Sequence, residues 1–250
     1  MTPEYRVDPS FRAKLVLAGE DWLQALRDGW WRSLGTTPPA LGPGAKDAAA
    51  VVGPLVAGRS VALIGNATSL LDDPPPRIDD HDVIVRINRG AHVAEQLGTI
   101  GSRTDILLLA GRRMAITLAV DEHLLKHKPG HTLFMSVADR RRLPRWLARR
   151  MSYYPAAWRE ALEAELGARP STGAMGIDLF SRLVGDGTLH LYGFDFWDSP
   201  TSYNLRTKVG PHAPNAERDF ALRRVRPEHI HGWRAPDGAG PPEPHATREP

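Results

Sequence analysis

From its amino terminus the chain first places Phe11, Leu15, Ala18, Trp22, Ala25 and Trp30 near the spacing of one helical face, which predicts an amphipathic helix over residues 10–34. Packing onto the rest of the protein is the plainest use of such a face. Contact with a membrane surface through Trp22, Trp30 and Trp31 is a second use, and Glu20, Asp21 and Asp28 weigh against it. Residues 36–46, with Pro38, Pro39, Gly42, Pro43 and Gly44, break any helix and read as a linker. Beyond Gly58 the pattern changes. Short apolar runs at 61–64, 83–87, 105–109, 132–137 and 188–192 alternate with helical patterns. Continuous apolar runs of this length suit strands buried on both faces. Their alternation with helices predicts an α/β domain around a mainly parallel sheet, with ligands at the carboxyl ends of the strands. From Arg234 onward, prolines and glycines without periodicity predict a disordered tail.

Composition narrows the chemistry. The 250 residues suffice for one full core, and a formal charge of +3 with 24% charged residues does not by itself imply nucleic acid. The absence of cysteine excludes disulfides, thiolate metal sites and cysteine nucleophiles. No apolar run approaches the roughly 20 residues that span a bilayer, and no leader-like apolar segment opens the chain. A cytoplasmic protein is the expectation.

Three stretches carry candidate chemistry. The run at 61–64 ends in Gly65-Asn66, where glycine allows close backbone approach to a phosphate and the amide can donate to phosphate or ribose oxygens; a plain turn would look the same. The next run ends with Arg86 and Asn88 on one side of a strand, and Gly101-Ser102-Arg103-Thr104-Asp105 leads into the third. Later, Ser171-Thr172-Gly173 opens an apolar helix. Its hydroxyls and amides suit ordinary capping, an anionic ligand such as a carboxylate or phosphate, or both. A strand then ends in Tyr192-Gly193-Phe194, and His212 is followed after four residues by Glu217. Asp80-His81-Asp82 formally matches a metal-binding Asp-x-Asp, but its position just before a strand favours a structural reading.

In this order, residues 60–109, 169–196 and 212–217 resemble the long, short and very short motifs of the animal-type sialyltransferase family (glycosyltransferase family 29), in the form of a bacterial member without a membrane anchor. The resemblance implies a GT-A-like, Rossmann-type α/β/α sandwich forming one catalytic domain over residues 58–233, preceded by residues 1–57 and followed by a tail at 234–250. It implies inverting transfer of a keto-sugar acid, sialic acid or Kdo-like, from a CMP donor to a hydroxyl of a surface glycan such as lipopolysaccharide or capsule. His212 would be the general base and Glu217 an orienting residue. Donor contacts would fall to Gly65, Asn66, Arg86, Asn88, Ser171, Thr172, Gly173, Gly193, Phe194 and Tyr203. No divalent metal, no further cofactor and no nucleic acid are expected.

The chain departs from the family at Ser202-Tyr203-Asn204, where Tyr203 fits an aromatic position but a phosphate-contacting histidine is missing; Arg206 or Lys208 is the replacement proposed by proximity. The family's cysteine pair is also missing, with Val61 at one place and Val184 or a neighbour at the other. The basic run Arg140 to Arg142 with Arg145, Arg149 and Arg150 around Trp146 is a solvated helix face or a contact to anionic lipid near the inner face of a membrane. A CMP-sugar-binding protein without transfer, and a CMP-sugar hydrolase, are the alternatives.

Overall fold

The computed structural model describes residues 9–35, 46–72, 77–111, 113–121, 130–136, 143, 145–202 and 211–232. The long helix α1 (Phe11–Ser33) is followed by β1 (Lys46–Asp47), α2 (Ala48–Val56), β2 (Ser60–Ile64) and the short α3 (Ser69–Asp72). Then come β3 (Val83–Ile87), α4 (Gly90–Leu97), β4 (Ile106–Leu109), α5 (Arg113–Asp121), β5 (His131–Phe134), α6 (Arg145–Ala148) and β6 (Ser152–Tyr153). The chain continues with α7 (Ala156–Leu166), α8 (Thr172–Leu183), β7 (Thr188–Tyr192), α9 (Pro214–Arg224) and β8 (Ile230–His231).

Among the described residues the eight strands form one parallel sheet in the order β1-β6-β5-β4-β3-β2-β7-β8. The five expected strands form its centre. The three missing from the sequence reading, β1, β6 and β8, are two residues each, too short to carry a periodicity. From β2 the chain builds outward through β3 to β6 on one side and returns to β7 on the other, so β2 and β7 flank the switch point where parallel sheets open a crevice.

Alternation along each strand makes the sheet the middle of three layers. Leu63, Val85, Leu108 and Leu191 join one core with α2, α7, α8 and α9. Ala62, Ile64, Ile84, Leu107 and Leu109 face the other side, toward α1, α4 and α5. Helix α2 belongs to the first core through Ala48, Val52 and Val56, so the sandwich includes residues from Lys46 onward as well as those from Gly58. Asp47 caps α2, its carboxylate accepting from the Ala49 and Ala50 amides. Helix α8 approaches the sheet at Gly176, where a side chain would press on Leu108 and Leu63. A buried network ties the same helix to β6: the Tyr154 hydroxyl donates to Asp178 at 2.5 Å, and Asp178 also pairs with Arg182 at 2.8 Å. Burial first, then the Asp178 contact, raises the Tyr154 pKa.

Helix α1 packs on the domain, but through a different face from the one its large apolar residues mark. Ala13 and Leu17 are fully buried, while Phe11, Leu15, Trp22 and Trp30 are exposed. Small side chains let α1 lie close to α5, and polar ties fix the register: the Ser10 amide donates to Asp121 at 2.7 Å, and Asp21 pairs with Arg113 at 2.6 Å. Burying Leu17 contributes about 1.5–3 kcal/mol. Among the described residues no helix is long and apolar enough to cross a membrane. The linker and the tail, Arg140 to Arg142, Tyr203, Arg206 and Lys208 lie outside the described residues. Arg150 stacks over Trp146.

At the β7 edge, imidazoles gather on the sheet face that carries Tyr192. His190 stacks on His229 at 4.1 Å and meets His231 ring to ring, Nδ1 to Nε2, at 3.1 Å. His81 shares hydrogen bonds with the Tyr192 hydroxyl and Ser60. Burial, reinforced by the neighbouring imidazoles, pushes His190 down to about 4 from the ordinary 6.5. Between these values the unfolded chain binds more protons than the fold, so this group stabilises above its unfolded pKa and that contribution is lost as pH falls. Stability, read as a urea midpoint, is therefore expected to drop between about pH 7 and about pH 5, and to drop less in His190→Gln. An equal drop in both proteins would remove the assignment.

Candidate active site

The loops leaving β2 and β7 meet at the switch point, and glycine is what lets them touch. The Gly65 amide donates to the Tyr192 carbonyl at 2.7 Å. A Cβ at Gly65 would collide with the Gly193 backbone, and Gly193 has a φ of 66°, a left-handed conformation open to glycine. The Phe194 ring lies between the two ligand-type turns: a Cβ on Gly65 would stand 3.2 Å from it, and one on Gly173 2.9 Å. The sequence-predicted Gly65, Gly173, Gly193 and Phe194 are thus brought together from three separate segments.

Asn66 and Asn88 stand at the same edge and serve the backbone. Asn66 Nδ2 donates to the Ile87 carbonyl at 3.2 Å. Asn88, with φ of 51°, accepts from the Ala110 amide at 2.7 Å. Each asparagine so bridges the end of one strand to its neighbour's.

Arg86, expected among the donor contacts, lies beneath the loops rather than on the surface of the crevice. It is fully buried, donating from Nη2 to the Ile100 carbonyl at 2.8 Å and from Nε to the Arg103 carbonyl at 3.0 Å. Burial lowers it to about 10, partly offset by Asp79. Asp79 in turn accepts from the Ser102 and Arg103 amides, and Arg103 donates to the Asp79 and Asp82 carbonyls. Residues 79–105 therefore form a polar scaffold where strands begin. Asp80-His81-Asp82 belongs to it: Asp82 accepts from the Ser60 amide, Asp80 pairs with Arg77, and both precede β3. Among the described residues no group of three His, Cys, Asp or Glu side chains is arranged to hold a metal.

Ser171 caps α8, its Oγ accepting from the Ala174 amide at 3.0 Å. The same hydroxyl donates to Glu217 Oε2 at 2.6 Å, and the Ser171 amide donates to Glu217 Oε1 at 2.8 Å. The hydroxyl hydrogen is thus used internally; Thr172 and Gly173 beside it are half-buried in the first turn. Glu217 takes the place of an anion at this helix start. Burial pushes its carboxyl up to about 7 against the pull of both Ser171 hydrogen bonds.

His212 precedes α9 and is half-buried. Its Nδ1 lies 2.8 Å from the Arg169 carbonyl, which only accepts, so Nδ1 carries the proton and Nε2 holds the free lone pair. The ring stacks on Trp197 at 5.8 Å. Trp197 and Phe196 both have positive φ, a strained turn after Gly193-Phe194. Asp195 fastens that turn to the first loop, accepting from Ser69 Oγ and the Ser199 amide, while the Ser202 amide donates to the Asn66 carbonyl. Sequence reading missed Trp197 and Asp195. Their signal was only their nearness to the Tyr192-Gly193-Phe194 turn, since neither sits in a regular element.

No family model matches the chain, and no curated protein does. Solved structures do. A mammalian sialyltransferase aligns at 18% identity over 94% of this chain and 91% of its own, with a TM-score of 0.52. A mammalian sialyltransferase in complex with Gal-beta-1-3GalNAc-ortho-nitrophenol aligns at 20% identity over 78% of this chain and 76% of its own, with a TM-score of 0.47. The chain shares the GT-A-like α/β fold, one parallel sheet between helical layers, with the first of these.

Removing Glu217, itself buried, strands the half-buried Ser171 amide and hydroxyl. Glu217→Ala is expected to lower unfolding free energy by about 1–3 kcal/mol in denaturant titration. Because its folded pKa is raised, the carboxyl stabilises fully below its unfolded 4.5 and loses that contribution as pH rises through about 7, a slope that Glu217→Gln should remove. An alanine variant as stable as wild type would show that the tie is not holding α9.

Proposed function

We propose that the protein is an inverting glycosyltransferase of the sialyltransferase type, moving a keto-sugar acid from a CMP donor to a glycan hydroxyl. The observation that carries this reading is His212: its Nδ1 is committed to the Arg169 carbonyl, which leaves Nε2 as a base beside the start of α8. The acceptor O–H gives its proton to Nε2. The acceptor oxygen bonds the anomeric carbon as that carbon's bond to the phosphate oxygen breaks, and CMP leaves with the electron pair. One displacement inverts the centre. The Trp197 face and the Arg169 carbonyl keep the ring in its tautomer and plane.

Donor contacts divide by chemistry. The Asn66 and Asn88 loops suit phosphate and ribose, the Thr172 hydroxyl and first-turn amides of α8 suit the sugar carboxylate, and Phe194 suits the cytosine face. Glu217 acts as a positioning residue through Ser171 rather than on the substrate. Sialic acid and Kdo both offer the carboxylate and the CMP leaving group; lipopolysaccharide or capsule would supply the hydroxyl. Leaving CMP carries a single phosphate, so the reaction is proposed to run without a divalent ion. The engagement of Asp80 and Asp82 by Arg77 and Ser60 supports that reading.

A CMP-release screen over CMP-sialic acid and CMP-Kdo, with and without bacterial glycans, tests the proposal. His212→Ala is expected to lower acceptor-dependent release by about a hundredfold or more while CMP affinity stays within a few-fold. Retained transfer would remove the base, and release independent of acceptor would assign a hydrolase. In a separate arm, EDTA should leave transfer unchanged; loss of activity with rescue by added metal would overturn the metal-free step.

A further inference from the structure

Helix α1 presents its apolar stripe to solvent. Seven of the eight large apolar side chains that the described residues expose lie on α1 or directly after it, and the eighth, Met114, is on α5 beside it. With about 100° per residue, Phe11, Leu15, Trp22, Leu26 and Trp30 fall within an arc of about 100°. Their exposure runs from 53% at Leu26 to 75% at Phe11, more than the scattered apolar exposure of an ordinary surface.

Charge around the stripe is ordered. Glu20, Asp21 and Asp28 fall about 130° or more from the centre of the arc, and Asp21 is further paired with Arg113 at 2.6 Å. Arg12 stands at the edge of the arc, and Lys14 and Arg32 fall about 110° from its centre, angularly close to Asp21; exposure is what separates the signs, since Arg12, Lys14 and Arg32 are exposed whereas Glu20 and Asp28 are half-buried. An exposed apolar stripe accompanied by the exposed cations Arg12, Lys14 and Arg32, with its anions half-buried or paired with Arg113 and with tryptophans near its middle and end, is complementary to an anionic bilayer interface. Of the acidic residues that argued against this role from sequence, Glu20 and Asp28 are half-buried and Asp21 is paired with Arg113.

We infer that α1 is an interfacial membrane anchor, seating Phe11, Leu15, Trp22, Leu26 and Trp30 among the headgroups and upper acyl chains of an anionic bilayer. Because α1 lies on the opposite sheet face from α8 and α9, seating it leaves Ser171 and His212 off the membrane-contacting layer. The inference does not rest on the proposed reaction.

Flotation of the full chain with vesicles of phosphatidylcholine, alone or mixed with phosphatidylglycerol, tests it. Wild type should float with the mixed vesicles, and L15Q/W22Q/L26Q/W30Q should lower the partition coefficient by about tenfold or more. These side chains are exposed, so circular dichroism should be unchanged. R12Q/K14Q/R32Q should lose the preference for phosphatidylglycerol. Quenching of wild-type tryptophan emission by brominated acyl chains reads insertion without any variant. Wild type remaining unfloated and unquenched would overturn the anchor. So would light scattering that shows a dimer, dissociated by the four-glutamine apolar variant, in a protein that ignores both vesicles.

Discussion

The carboxylate of Glu217 against the start of α8 is the contact on which the candidate site turns. Ser171 and Glu217 are 46 residues apart, yet two hydrogen bonds join them in a buried position. The bonds fasten the first turn of α9 to the first turn of α8. The loop that holds His212 is thereby brought over Arg169, whose carbonyl fixes the imidazole tautomer. A protein carboxylate at a helix start occupies one ligand-type position: the Ser171 hydroxyl is spent, while the adjacent Thr172 and Gly173 stay half-buried, Gly173 against the Phe194 ring.

A division of labour runs through residues 60–109. Their first part, Gly65-Asn66, and the Asn88 turn stand where β2 and β3 end, at the crevice edge of the sheet. Arg86, Asp79 and Arg103 saturate carbonyls and amides of the loops that precede β3 and β4. A guanidinium with no exposure is sustained by carbonyl acceptors around it, so its conservative replacement would be a matter of folding before it was one of binding. Motif membership and ligand contact are therefore separate properties of these residues.

Without cysteine, the centre of the sandwich is held by packing and by buried polar pairs. Val61 lies in the core beneath α8, and Tyr154, Asp178 and Arg182 join β6 to the same helix. Helix α1 attaches by a narrow seam, Ala13 and Leu17 with the Ser10–Asp121 and Asp21–Arg113 ties, which leaves its larger side chains outward. A helix pattern gives the position of an apolar face but not its direction, because direction is set by which partner surface the smaller face fits.

The five central strands, their parallel arrangement and the loops at Gly65-Asn66, Ser171-Thr172-Gly173 and Gly193-Phe194 were legible in the chain, since each is a local pattern of apolar runs and turn residues. The two-residue edge strands were not, because they exist only through pairing with longer neighbours. Nor could local pattern separate Arg86 from Asn88: strand alternation would put both on one side, but β3 ends at Ile87, Asn88 turns with a φ of 51°, and Arg86 is fully buried. Trp197 and Asp195 act from an irregular turn whose strained backbone is stabilised by contacts across the sheet edge. Sequence determined which segments carry polar groups at strand ends; tertiary structure decided which of those groups are spent on the protein itself, because hydrogen-bond partners distant in sequence are brought within reach only by folding.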